Sequence, residues 1–146
     1  MSHFGEHLIM EGFGYSFGLA VADLTGDGSL DITAADGRAL YWFQNDGQGH
    51  FTRHHIQRDH PKERLERHAI GDINGNGHLD VAASGWKGNE IAIFENPGAD
   101  GLWTKHPLDD KMTEARTIRV ADFSDNGRPD LLATGADVPL VAWYEH

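Results

Sequence analysis

Asp23, Thr25, Asp27 and Asp31 put oxygen-bearing side chains on positions one, three, five and nine of a short segment that has Gly28 at position six. The pattern returns at Asp72, Asn74, Asn76 and Asp80 with Gly77, and again at Asp122, Ser124, Asn126 and Asp130 with Gly127. Oxygen donors at alternate positions, with a glycine where the chain turns sharply, are how a loop curls around one hard cation such as calcium. The competing reading is a metal-free turn in which Asp and Asn hydrogen-bond their own backbone. Loop one holds three carboxylates and loops two and three hold two each, so Coulomb attraction alone ranks loop one tightest.

The three segments start 49 and 50 residues apart, and their surroundings realign with them. Leu19–Ala22, His68–Gly71 and Ile118–Ala121 precede the loops; Ile32–Ala35, Val81–Ser84 and Leu131–Thr134 follow. These are β-prone runs around a turn. A third run follows at Leu40–Asn45, Ile91–Asn96 and Val141–His146, and a fourth carries an aromatic, a His and an aliphatic at Phe51, His54, Ile56 and at Trp103, His106, Leu108. Trp42, Trp103 and Trp143 each fall on a site that is aromatic or apolar in the equivalent place of the other repeats, and read as packing residues. Lys62–Arg67 has helical character but is short, and reads as a loop or single turn between repeats.

Four short antiparallel strands recurring near 50 residues describe one blade of an all-β propeller. The expected layout is a single half-propeller domain over residues 1–146, with repeats at about 10–56, 57–108 and 109–146. Residues 3–9 carry the fourth-strand pattern, with Phe4, His7 and Ile9 matching Phe51, His54 and Ile56. Three blades are too few to close a ring. The expectation is a homodimer of six blades in which residues 3–9 of each chain complete the last blade of the other, leaving no open sheet edge. A fragment of a longer propeller is the plainer alternative.

The formal charge of −11 argues against nucleic acid as a partner, and three calcium ions would bring it to −5. No apolar run reaches the length of a membrane span. With no cysteine in the chain, disulfides play no part. His7, His54 and His106 recur as a blade feature, without the close pairing that zinc demands.

The stretch from Val21 to Ile56 and its two copies resemble the FG-GAP/VCBS repeats of integrin α-subunit propellers, of secreted bacterial proteins, of propeller lectins and of certain polysaccharide lyases. The resemblance covers nearly the whole chain. It implies side-chain ligands at positions one, three, five and nine and a backbone carbonyl ligand at position seven, from Ser29, His78 and Arg128. It also implies an extracellular or periplasmic setting, although Met1–Phe4 does not read as a secretory signal. The fold itself hosts adhesion, sugar binding and catalysis alike.

In a four-stranded meander the cation loops share one rim with the turns between strands three and four. The opposite rim differs from repeat to repeat, as surfaces adapted to a ligand do. Tyr15, Arg38, Arg64, Arg67, His68 and Trp86 are its candidate ligand contacts, because an aromatic flanked by charged donors suits a sugar ring. The leading expectation is a lectin-like, carbohydrate-binding module stapled by calcium. The alternative is a lyase acting on sugar acids, with Tyr15, His60 or His68 as base and Arg38, Arg64 or Arg67 neutralising a carboxylate. A third reading is an isolated or engineered half-propeller with no ligand.

Overall fold

Short alternating runs broken by Gly, Asn and Asp form strands and turns. The computed structural model describes residues 3–58, 64–98, 101–137 and 140–146, and among them it contains strands and turns but no helix. The first sheet is β1 (Ser16–Ala22), β2 (Asp31–Asp36), β3 (Ala39–Asn45) and β4 (Phe51–Gln57), antiparallel in chain order. The second is β5 (Leu65–Gly71), β6 (Asp80–Gly85), β7 (Glu90–Glu95) and β8 (Thr104–Asp109). The third holds β9 (Ala115–Ala121), β10 (Asp130–Gly135) and β11 (Leu140–Tyr144). Each is a meander of the kind that makes a propeller blade.

The sheets stack through their apolar faces, and β5 lies between β1 and β9. Ala35, Leu40 and Ile56 of sheet one meet Leu65, Val81, Ala83 and Phe94 of sheet two, with Trp42 and Trp103 on the margin. Ile73, Ala82 and Ile91 meet Ile118, Leu131 and Ala133 of sheet three. Having a sheet on each side, β6 is buried along its whole length; each large aliphatic so enclosed contributes roughly 1.5–3 kcal/mol. The Tyr144 hydroxyl donates to Asp109 Oδ2 at 2.5 Å and ties sheet three to sheet two. A Cβ on Gly18 would stand 2.5 Å from the Glu66 carbonyl oxygen and 2.6 Å from His68 Nδ1. Only glycine lets β1 approach β5 so closely.

Two expectations are corrected. Leu65, Glu66 and Arg67 open strand β5, bonded to Gly85 and Ser84, while Lys62 and Glu63 lie outside the described residues. Pairing with β6 and burial of Leu65 outweigh the helical preference of the run. Trp143 is 51% exposed, because β11 is the edge of its sheet and no further sheet covers that face. Residues 3–9 form no strand within a single chain, and Phe4 is 96% exposed.

Candidate functional site

The loops between the first and second strands of the sheets share one hydrogen-bond plan. Asp23 accepts from the backbone N–H groups of Gly26, Asp27 and Gly28, at 2.7, 3.1 and 2.8 Å. Asp122 does the same with Asn126 and Gly127, and Asp72 with Gly77. Position five turns back on position seven: Asp27, Asn76 and Asn126 accept from Ser29, His78 and Arg128. Position six is left-handed in all three, with φ of 89° at Gly28, 88° at Gly77 and 82° at Gly127.

The position-nine carboxylates are fully buried. One oxygen of each takes the N–H of position two, from Leu24, Ile73 or Phe123. The other takes the N–H after or at the end of the third strand, from Asn45, Asn96 or His146. The same role meets different surroundings. Burial in the middle sheet pushes the Asp80 carboxyl up. In the last sheet, whose outer face is uncovered, the His146 N–H outweighs desolvation and holds Asp130 at about 2. The Gly28 N–H leads the bonds that lower Asp23.

Among the described residues, no three His, Asp or Glu side chains converge as a metal-binding group. The donors of these loops are instead mixed: carboxylates, amides, hydroxyls and carbonyls, all oxygen and suited to a hard cation. Asp72 Oδ1 and Ser124 Oγ, at positions one and three of loops two and three, are buried without a hydrogen-bond partner. An orphaned buried oxygen is what a cation would satisfy, so the residues fit calcium. Calcium there would supply crosslinking of loop to strand.

At the other rim, unlike residues occupy equivalent places. Tyr15, Arg64 and Glu114 stand eight residues before the first Asp of each loop, and Phe17, Glu66 and Arg116 stand six before. These residues interlock. The Tyr15 hydroxyl donates to Glu66 Oε1 at 3.2 Å, and Arg116 Nη1 reaches both Glu66 oxygens at 3.2 and 3.3 Å. The other guanidinium arm of Arg116 pairs with Glu114. The Arg64 guanidinium carbon lies 5.4 Å from the Tyr15 ring centroid and 5.9 Å from that of Trp86. Arg116 and Lys87 approach the same indole at 5.0 and 5.6 Å. Backbone bonds from Trp86 to Arg64 and from Ala136 to Glu114 hold the turns, and the Asn89 side chain accepts from the Glu114 N–H.

Burial first, and then the Glu66 carboxylate, raise the Tyr15 hydroxyl above its ordinary value. Burial works against the Arg116 charge, but Glu66 and Glu114 prevail and raise it.

Of the candidates named from sequence, Tyr15, Arg64 and Trp86 come together. Arg38 is exposed in the turn after β2, and Arg67 is exposed on β5. His60 lies outside the described residues. His68 is a correction: it is not on the rim but 6% exposed between sheets one and two. Its Nε2 meets Thr33 Oγ1 at 2.7 Å, its Nδ1 has no partner, and burial lowers its pKa to about 4. Sequence reasoning missed Glu66, Lys87, Glu114 and Arg116. Their signal was register: a fixed distance before each loop finds all but Lys87, which is simply the neighbour of Trp86.

A family model described as an FG-GAP-like repeat matches residues 23–83 and 72–133. No curated protein matches the chain. No helix among the described residues is long and apolar enough to cross a membrane.

Proposed function

The chain belongs to the FG-GAP-like repeat family, and on that premise we propose that it is a calcium-stabilised propeller module that binds a carbohydrate at the rim opposite its calcium loops. The observation that carries the reading is the convergence of Tyr15, Arg64 and Trp86, residues of three different segments, on one aromatic and cationic patch. An aromatic face packs against the apolar face of a sugar ring, and the surrounding donors reach its hydroxyls. The lyase alternative is weakened by its bases. Tyr15 holds its proton more tightly than a free phenol, and His68 is enclosed away from any substrate. A glycan array with and without calcium, run beside a lyase assay on uronate polymers, tests the reading; binding without turnover is expected, and turnover or an empty array would overturn it.

The assembly we propose is the six-bladed homodimer. Between sheets two and three a cavity of about 350 Å³ is lined by Ile73, Ile93, Leu108, Leu131 and Tyr144. At the equivalent margin between sheets one and two, Trp103 packs against the core. Phe4 is the repeat equivalent of Trp103, so residues 3–9 of a second copy fit beside β11 with Phe4 in this cavity. The pairing of β3 with β4 supplies the register: Trp42 lies opposite His54 and stacks on it at 4.5 Å, which sets His7 opposite the exposed Trp143. Met10 against Arg53 and Phe13 against Tyr41 already hold the following residues on sheet one. Deleting residues 1–9 should expose strand edges and give dissociation or aggregation. A well-behaved folded monomer, before or after deletion, contradicts the ring.

A further inference from the structure

Building on the reading of this rim as the binding face, we propose that its ligand is an acidic glycan whose carboxylate is received by Arg64 and Lys87 beside Trp86. Four cation-to-ring approaches gather at this rim, three of them on a single indole. The cations divide into two kinds. Arg116 commits its N–H groups to Glu66 and Glu114 and is neutralised there. Arg64 and Lys87 form no ion pair and donate no side-chain hydrogen bond among the described residues. Ring faces hold their charge without consuming their donors, since a cation–π contact is an attraction to the quadrupole and not a directed N–H bond.

Both carboxylates, Glu66 and Glu114, are bonded directly by Arg116, and against their two negative charges stand the three positive charges of Arg116, Arg64 and Lys87. A surplus of positive charge sits on one aromatic in a chain of formal charge −11. A uronate matches it part by part. Its carboxylate takes the guanidinium fork in two parallel bonds with the ammonium alongside, and its pyranose ring lies on the indole. A neutral sugar would use the ring and leave both cations unanswered.

The test compares a glucuronate-containing oligosaccharide with its methyl ester, which keeps the ring and removes the charge, by calorimetric titration onto the calcium-saturated protein. The acid should bind at least about tenfold tighter than the ester, the worth of one charge-assisted hydrogen bond. The double variant Arg64→Gln, Lys87→Gln should bind acid and ester alike, no tighter than the parent binds the ester. Lys87→Gln alone, on an exposed side chain, gives a partial loss of preference and guards against misfolding of the double variant. Equal binding of acid and ester by the parent overturns the carboxylate site while leaving carbohydrate binding in place. Binding of neither, with neutral glycans retained on the array, also overturns it. An array empty of every glycan removes the binding reading itself.

Discussion

The two rims are made from one backbone repeated three times, and they differ in what changes between copies. At the loop rim position nine is always Asp, always buried, and always joined to the same two backbone amides. At the other rim the equivalent residues are Tyr15, Arg64 and Glu114, then Phe17, Glu66 and Arg116, and they bond to one another across sheets. Repetition of a side chain with its partners marks a task every blade has, which is holding its own turn to its own third strand. Equivalent positions filled by unlike, mutually engaged residues mark a task each chain has once. The comparison teaches that position in the repeat and identity within it carry separate information.

That contrast can be broken most forcefully by removing metal. Calcium at a hundredfold excess over its Kd would stabilise by about 2.7 kcal/mol per occupied loop, so chelation should lower the melting temperature by several degrees. Equal melting in excess chelator and in millimolar calcium would leave the loops as metal-free turns.

The interior between the rims answers to pH. Above the ordinary histidine pKa of 6.5, His68 is neutral folded or unfolded and contributes no slope. Below 6.5 the unfolded chain takes a proton that the native state, with its pKa near 4, refuses, so stability falls until about pH 4. The total is about 3 kcal/mol. Denaturant titrations at pH 7 and pH 5 should differ accordingly, and His68→Gln should flatten the difference; an unaltered slope would mean other groups set it.

Gly18→Ala tests whether the two rims share a frame. Its methyl group would force β1 away from β5, at about 1–3 kcal/mol of stability, and would carry Tyr15 off Glu66 and Arg64. Loss of glycan affinity together with stability is expected, in contrast with loop variants, which should lower stability with affinity retained when the protein is folded. The smallest effect ranks the loops by charge. Asp27→Asn should erode more of the calcium-dependent gain in melting temperature than Asn76→Ala, because the first removes a carboxylate and the second a neutral donor. The opposite order would show that the buried unpartnered oxygen of Asp72, in loop two, matters more than charge.

Much of this was legible in the sequence, and the exceptions have physical causes. Loop positions and strand order could be read because each blade repeats its ligand-like Asp and its apolar alternation. The start of β5 was obscured because Leu65–Arg67 lies in a run of good helix formers whose strand form depends on partners at Ser84 and Gly85. His68 was read by its chemistry, as a polar donor on a rim, although its repeat equivalents Leu19 and Ile118 mark an apolar register position. Glu66 and Arg116 were passed over because comparing copies rewards identity, and their site is made from difference. Trp143 kept its repeat position without the packing, since burial of that face needs a neighbouring sheet that one chain does not supply.

The measurement that bears most directly on the account is glycan-array binding by Trp86→Ala beside the parent protein, calcium-saturated, with melting recorded on the same samples. The account predicts that the parent's glycans are lost from the variant while it still folds, with stability reduced by no more than the three cation–π contacts on the indole, roughly 0.5–1 kcal/mol each. The same set of glycans bound by both proteins would place recognition elsewhere and contradict it.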